Sequence, residues 1–137
     1  MDVEKTEIPP KFYEDLRRRI QAKTPNKSAY GLGCWEWCGT KKRGSEYGVV
    51  HLTVGGDHLH VHAHRASYMA FNNKFILPYD ISHCCHHGSC VNPNHLSHEP
   101  HDINMAREMC RNAESCFGHE SGGKALKPCI FADEPGE

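Results

Sequence analysis

The residues best able to do chemistry lie in one run, Ser82-His83-Cys84-Cys85-His86-His87-Gly88-Ser89-Cys90-Val91-Asn92-Pro93-Asn94-His95-Leu96. Thiolate and imidazole are the ligands Zn²⁺ prefers, four at a time in a tetrahedron. Cys85, Cys90 and His95 are separated by four residues each, a loop length that lets the chain turn back so that all three reach one ion. The fourth ligand must come from elsewhere. Cys34, in Gly33-Cys34-Trp35-Glu36-Trp37, is the leading candidate and Cys38 the reserve. Cys110, Cys116, His119 and Cys129 make a second, complete Cys₃His set. Both sets would be closed, hence structural rather than catalytic. Each ion would contribute roughly 10 kcal/mol or more of apparent binding energy to folding. Cys38 and Cys84, if neither is a ligand, are expected to be buried free thiols, because Cys packs as a small hydrophobe.

Two polar residues stand beside the first set. His83 lies just before Cys85, and Asn104 follows 21 residues after His83, in Pro100-His101-Asp102-Ile103-Asn104-Met105-Ala106-Arg107-Glu108. The pattern predicts a strand carrying His83, a metal-bound loop, and a helix presenting Asn104. Asp102 is placed to cap that helix, and Arg107 shares a face with Asn104 at i+3. An imidazole titrates close to neutral pH and can take a proton from water. A neutral carboxamide can offer its oxygen to Mg²⁺ and leave the ion's charge for a phosphate. Such an ion stabilises a leaving oxygen as a Lewis acid. Phosphodiester hydrolysis asks for these parts.

The elements that must hold them can be read around them. After Pro9-Pro10, Phe12, Leu16 and Ile20 step by four, which predicts a helix over about 10–23 with its apolar stripe inward and Arg17, Arg18 and Arg19 outward. Cys34 to Cys38, bracketed by glycines, reads as a short strand. Lys41-Lys42-Arg43-Gly44-Ser45 reads as an exposed turn, and residues 46–63 as a hairpin turning at Gly55-Gly56-Asp57. His58, His60, His62 and His64 then fall on one face of the return strand, opposite Leu59, Val61 and Ala63. A short helix is expected from His64 to Phe71.

Composition narrows the class. At 137 residues one domain is expected, and 38% apolar content makes a lean core. The eight Cys could instead be a secreted disulfide scaffold, but the twelve interspersed His favour metal. No apolar run approaches a membrane span, and the polar, acidic start Met1–Glu7 has no secretory apolar core. Thiolate ligands must stay reduced, so an intracellular reducing compartment, nuclear or cytoplasmic, is expected. The formal net charge is −1, yet residues 10–43 carry nine Lys or Arg against three acids. A basic footprint for nucleic acid is thus confined to the first third. The short stretch after Cys129 reads as an acidic, loose tail.

From about Cys34 to Cys129 the pattern resembles the His-Cys box homing endonucleases of the ββα-metal (His-Me finger) nuclease superfamily. The resemblance is carried by His83-x-Cys85-x₄-Cys90-x₄-His95-Leu96 with Asn104 beyond it. Tyr47-Gly48 and His64-Arg65-Ala66 also sit where related zinc-bearing proteins have similar residues. It implies an α+β fold, a small zinc-stapled ββα-metal core over about 80–110 with an antiparallel hairpin and an N-terminal helix, and a second zinc loop over 110–129. His83 would be the general base and Asn104 the holder of a single catalytic Mg²⁺. Cys34, Cys85, Cys90 and His95 would bind one structural zinc, and Cys110, Cys116, His119 and Cys129 the other.

The implied activity is Mg²⁺-dependent DNA cleavage giving 5′-phosphate and 3′-hydroxyl ends, with a non-catalytic zinc-stapled nucleic-acid-binding module as the alternative. The partner would be double-stranded DNA, read by the hairpin, since a two-stranded ribbon fits the major groove. Lys41, Lys42, Arg43, His58, His60, Arg65 and Arg107 are the expected contacts, with Arg17–Arg19 adding backbone contacts. An assisting arginine is expected near the scissile phosphate, for which Arg43 and Arg65 are candidates. The family's dimers exchange a long C-terminal arm. The eight residues after Cys129 are too few for that, so a monomer, or a dimer through another surface, is expected.

Overall fold

The computed structural model describes residues 8–75, 79–116 and 118–131. The acidic start before Ile8 and the tail beyond Phe131 lie outside them. Helix α1 runs Pro10–Ala22 with Pro at its first turn, where a missing N–H costs nothing. It buries Tyr13, Leu16 and Ile20, and Phe12 packs at the margin of the same cluster. Arg18 and Arg19 are exposed, as expected, and Arg17 is half-buried. Arg17 donates to the Ala70 carbonyl at 2.6 Å and to Asn73 Oδ1 at 2.8 Å, and Arg19 to the His51 carbonyl at 3.0 Å. Both therefore also tie α1 to its neighbours.

Strands β1 (Val49–Val54) and β2 (Asp57–His62) form an antiparallel hairpin, with Val54 opposite Asp57. The two residues between them, Gly55 and Gly56, both have positive φ (56° and 86°), as a two-residue turn of matching twist requires. Val50, Leu52 and Val54 alternate into the core. The strand begins at Val49, three residues after the expected start of the hairpin, and Gly48 before it is pressed against other chain. A Cβ there would lie 2.3 Å from the Trp37 ring and 2.7 Å from the Ala63 methyl. Helix α2 (Ala63–Asn72) closes the core with Ala66, Met69 and Ala70. His64 therefore opens a helix and leaves the exposed histidine face of β2.

The segment Cys34–Cys38 is not the strand expected but carries two isolated bridges, Cys34 to Ala29 and Glu36 to the metal loop. Glu36 pairs with Cys90, Trp37 N–H donates to the Ser89 carbonyl at 2.9 Å, and Val91 N–H donates to the Trp35 carbonyl at 2.9 Å. These bonds carry Cys34 to Cys85 and Cys90. Strands β3 (Asp80–His83) and β4 (Leu96–Glu99) pair antiparallel, Asp80 opposite Glu99 and His83 opposite Leu96. Helix α3 (His101–Ala113) follows at once, completing the ββα unit. It starts after Pro100 with no side-chain cap, so Asp102 lies in its first turn rather than capping it. Beyond α3, the two-residue strands β5 (Glu120–Ser121) and β6 (Lys124–Ala125) make a small hairpin.

Arg107, expected at the DNA surface, is buried, 1% exposed. It pairs through two nitrogens with Glu99 on β4, and it donates to the Lys127 carbonyl at 2.8 Å and to Cys129 Sγ at 3.4 Å. The i+3 offset that puts it near Asn104's face turns it under the helix, onto the sheet. Burial opposes the charge on Glu99, but Arg107 and Ser97 outweigh it and hold the carboxyl below its usual range. Removing one partner leaves a buried charge unpaired, so Arg107→Ala is expected to cost about 3–5 kcal/mol of stability. Urea denaturation of zinc-loaded protein measures it; a loss under about 1 kcal/mol would mean that the pair is not closed.

Candidate active site and metal centres

The eight cysteines are all free thiols, and six of them converge with two histidines into two tetrads. Cys34, Cys85, Cys90 and His95 form one, Cys110, Cys116, His119 and Cys129 the other, each with ligand atoms within 4.8 Å of one another. Cys34, not Cys38, is the fourth member of the first set. Cys34 Sγ and Cys90 Sγ each stand 3.5 Å from His95 Nδ1; Cys110 Sγ and Cys129 Sγ each stand 3.5 Å from His119 Nε2. One ring nitrogen has one in-plane lone pair or one hydrogen, so it cannot bond two sulfurs well. With Zn–S of about 2.3 Å and Zn–N of about 2.0–2.1 Å, a tetrahedral shell places S and N about 3.5 Å apart. The donor sets and their spacing fit two closed zinc sites. Without a cation the thiols of Cys34 and Cys90, together with burial, push the Cys85 thiol up, so an ion must displace its proton.

The two remaining thiols divide. Cys84 is buried, as expected, but Cys38 is exposed, because its segment lies on the surface of the metal loop. A thiol reagent is expected to find one fast-reacting group in the native zinc-loaded protein, Cys38, and the rest only after chelation and denaturation. Fewer than eight thiols under reducing-agent-free denaturing conditions would reveal disulfides instead.

The first tetrad positions His83. Cys84 N–H donates to the His95 carbonyl at 2.8 Å, and His83 Nε2 lies 2.9 Å from the Cys90 carbonyl. A carbonyl only accepts, so Nε2 carries the hydrogen and Nδ1 presents its lone pair. Burial pushes His83 down to about 4, despite the opposing pull of Cys90 and Glu46, so the ring is neutral at pH 7. The His64 ring lies 4.2 Å away, and Tyr47 lies 5.8 Å from both. Burial also keeps His64 neutral; it bonds the Ile81 backbone, and its Nδ1 has no hydrogen-bond partner among the described residues.

Asn104, on α3, is clamped at both ends. Its Nδ2 donates to Asp80 Oδ2 at 2.9 Å, and its Oδ1 accepts from Ser82 Oγ at 3.0 Å. Asp80 Oδ2 also receives His101 Nδ1 at 2.7 Å. His83 and Asn104 line one open cavity of ≈ 360 Å³ together with Tyr47, His62, His64, Arg65, Asp80, Ile81 and His101. Reasoning from sequence missed Asp80 and His101. Asp80 alternates with Ser82 along a strand that precedes a helix, which could have placed it beneath Asn104, whereas nothing in the sequence marks His101.

Of the residues expected at DNA, Lys41, Lys42 and Arg43 form an exposed turn beside the hairpin. His58 and His60 are exposed on β2, where the His60 ring lies against that of His51, tilted by 38° with ring centres 3.9 Å apart. Arg65 lines the cavity and donates to the Tyr79 carbonyl. Among the described residues no helix is long and apolar enough to cross a membrane.

A ββα unit braced by two Cys₃His tetrads, with a histidine on its first strand and an asparagine on its helix, defines a zinc-stapled His-Me finger protein. A family model describing the zinc-binding loop region of homing endonucleases matches residues 20–135, and the chain belongs to that family. No curated protein and no solved structure matches the chain. The family makes it a nuclease-related module with DNA as the implied substrate.

Proposed function

We propose that this chain is a Mg²⁺-dependent DNA endonuclease. The observation that carries the proposal is one cavity walled by His83, its Nε2 committed to the Cys90 carbonyl and its ring neutral, and by Asn104, its carboxamide held at both ends. Water entering this cavity gives a proton to His83 Nδ1 as its oxygen attacks phosphorus, and the bond to the 3′-oxygen breaks. Asn104 Oδ1 is the protein atom that would hold Mg²⁺; the donor is a neutral oxygen on an open cavity, which suits an ion that keeps several waters. What Mg²⁺ supplies when bound is charge against the phosphate and the departing 3′-oxygen. The tautomer needed is set by the Cys90 carbonyl, and Cys90 is a ligand of the first tetrad, so the zinc would fix the base. The hairpin β1–β2, with Lys41, Lys42, Arg43, His58 and His60, is the groove-entering element in this proposal, and Arg65 reaches the cavity from α2.

The test is incubation of supercoiled plasmid with zinc-loaded protein while Mg²⁺ is titrated. Nicks should appear only with the divalent ion, and DNA ligase should reseal them, as 5′-phosphate and 3′-hydroxyl ends require. A protein that shifts DNA in a gel but never nicks it at any Mg²⁺ concentration is the non-catalytic module of the same fold.

A further inference from the structure

We propose that Asp80 is a positioning residue that decides which end of the Asn104 carboxamide meets the divalent ion, an inference that rests on the nuclease reading above. The two ends of a carboxamide have nearly the same shape but opposite chemistry: the oxygen accepts, and the NH₂ only donates. Mg²⁺ takes oxygen ligands, so an Asn104 turned by 180° would present the wrong end.

Two neighbours bracket the group, and only one of them can tell the ends apart. Ser82 Oγ, 3.0 Å from Oδ1, can donate to an oxygen or accept from an NH₂, so it serves either orientation. Asp80 Oδ2, 2.9 Å from Nδ2, belongs to a carboxylate that can only accept while ionised. Turning the carboxamide over would set two oxygens against each other across that distance.

An aspartate is ionised at neutral pH by its ordinary carboxylate chemistry, and His101 Nδ1 shares the same Oδ2 at 2.7 Å. That oxygen is therefore occupied by two donors, which marks it as an anchor for Asn104 rather than a ligand in its own right. The placement is built in early. Asp80 and Ser82 alternate along β3 onto the face that α3 covers, and Asp80 is fixed in register opposite Glu99. Strand register thus sets the anion beneath the helix position that Asn104 occupies. Partners that orient a metal ligand typically cost about 10–100-fold in metal affinity or activity when removed.

The test uses full-length zinc-loaded protein with Mn²⁺ as the probe, its binding followed by electron paramagnetic resonance, beside the Mg²⁺ concentration for half-maximal nicking. Asp80→Asn is expected to weaken Mn²⁺ binding and raise the Mg²⁺ requirement by about 10–100-fold. The maximal rate at saturating Mg²⁺ should stay within a few-fold of wild type, and the zinc content should not change. A purely structural role would lower zinc content or the maximal rate and leave the Mg²⁺ requirement alone. Wild-type Mn²⁺ affinity and Mg²⁺ requirement in Asp80→Asn overturn the proposal. Should Asp80→Asn fail to fold, the exchanged pair Asp80→Asn with Asn104→Asp restores one donor and one acceptor across the same gap. It is expected to bind Mn²⁺ at least as tightly as Asn104→Asp alone; weaker binding overturns the proposal. Wild-type protein whose Mn²⁺ binding is absent, or is untouched by Asn104→Ala, overturns the nuclease reading itself and this inference with it.

Discussion

Cys90→Ser is expected to leave the chain unfolded at room temperature. A domain of this size has about 5–15 kcal/mol of net stability, and one structural zinc contributes about 10 kcal/mol or more of apparent binding energy. Cys90 also does more than ligate. It pairs with the distant Glu36, its carbonyl receives His83, and its Sγ stands beside His95 Nδ1, so the Cys34–Cys38 segment, the end of β3 and the metal loop meet at one residue. The lean core of Leu16, Ile20, Leu52, Met69 and their neighbours is drawn mostly from α1, α2 and the hairpin; Trp37 and Val91 join it from beside the metal loop, and the rest does not replace that junction. Far-ultraviolet circular dichroism with zinc analysis measures the effect, and a strong chelator applied to wild type should reproduce it. Cys38→Ser, at an exposed thiol outside both tetrads, should change stability by no more than about 0.5 kcal/mol. Native dichroism in metal-free wild type would mean that the tetrads brace nothing.

His83→Ala is expected to lower the nicking rate by about 10²–10⁴-fold, the usual contribution of a positioned general base. The loss should appear without loss of fold. The ring's hydrogen bond goes to one backbone carbonyl, and freeing that carbonyl costs about 1–3 kcal/mol. Zinc content should therefore remain at two ions per chain, as the two tetrads are intact. His64, 4.2 Å away with an unpartnered nitrogen, is the neighbour best placed to supply residual activity. Single-turnover nicking of one plasmid preparation at saturating Mg²⁺ reads the difference.

Much of this was legible because metal ligands obey short, rigid rules. The four-residue spacings among Cys85, Cys90 and His95 predicted one site, and both tetrads assemble as read. The hairpin followed from Gly55-Gly56 between alternating runs, and α1 from its Pro and apolar step. What escaped was whatever tertiary contact decides. Arg107 carries the signature of a surface cation, and only the buried Glu99 opposite it reveals a structural one. Arg17 and Arg19 look like free charges until Ala70, Asn73 and His51 come beside them. Cys34–Cys38 has strand-like composition but no strand to pair with, only the irregular loop at 89–91. His64 belongs by alternation to the β2 stripe, yet the strand ends at His62 and the next turn of chain is helix. The Asp80–Asn104–His101 clamp joins residues more than twenty positions apart through polar side chains with no periodicity to announce them.

The most direct measurement is nicking of a supercoiled plasmid by wild type, His83→Ala and Asn104→Ala in parallel, each first shown to carry two zinc ions. The expected result is Mg²⁺-dependent nicking by wild type and a loss of about a hundredfold or more in both variants. Equal rates in all three zinc-loaded proteins would contradict the assignment of His83 and Asn104 as the base and the holder of the ion.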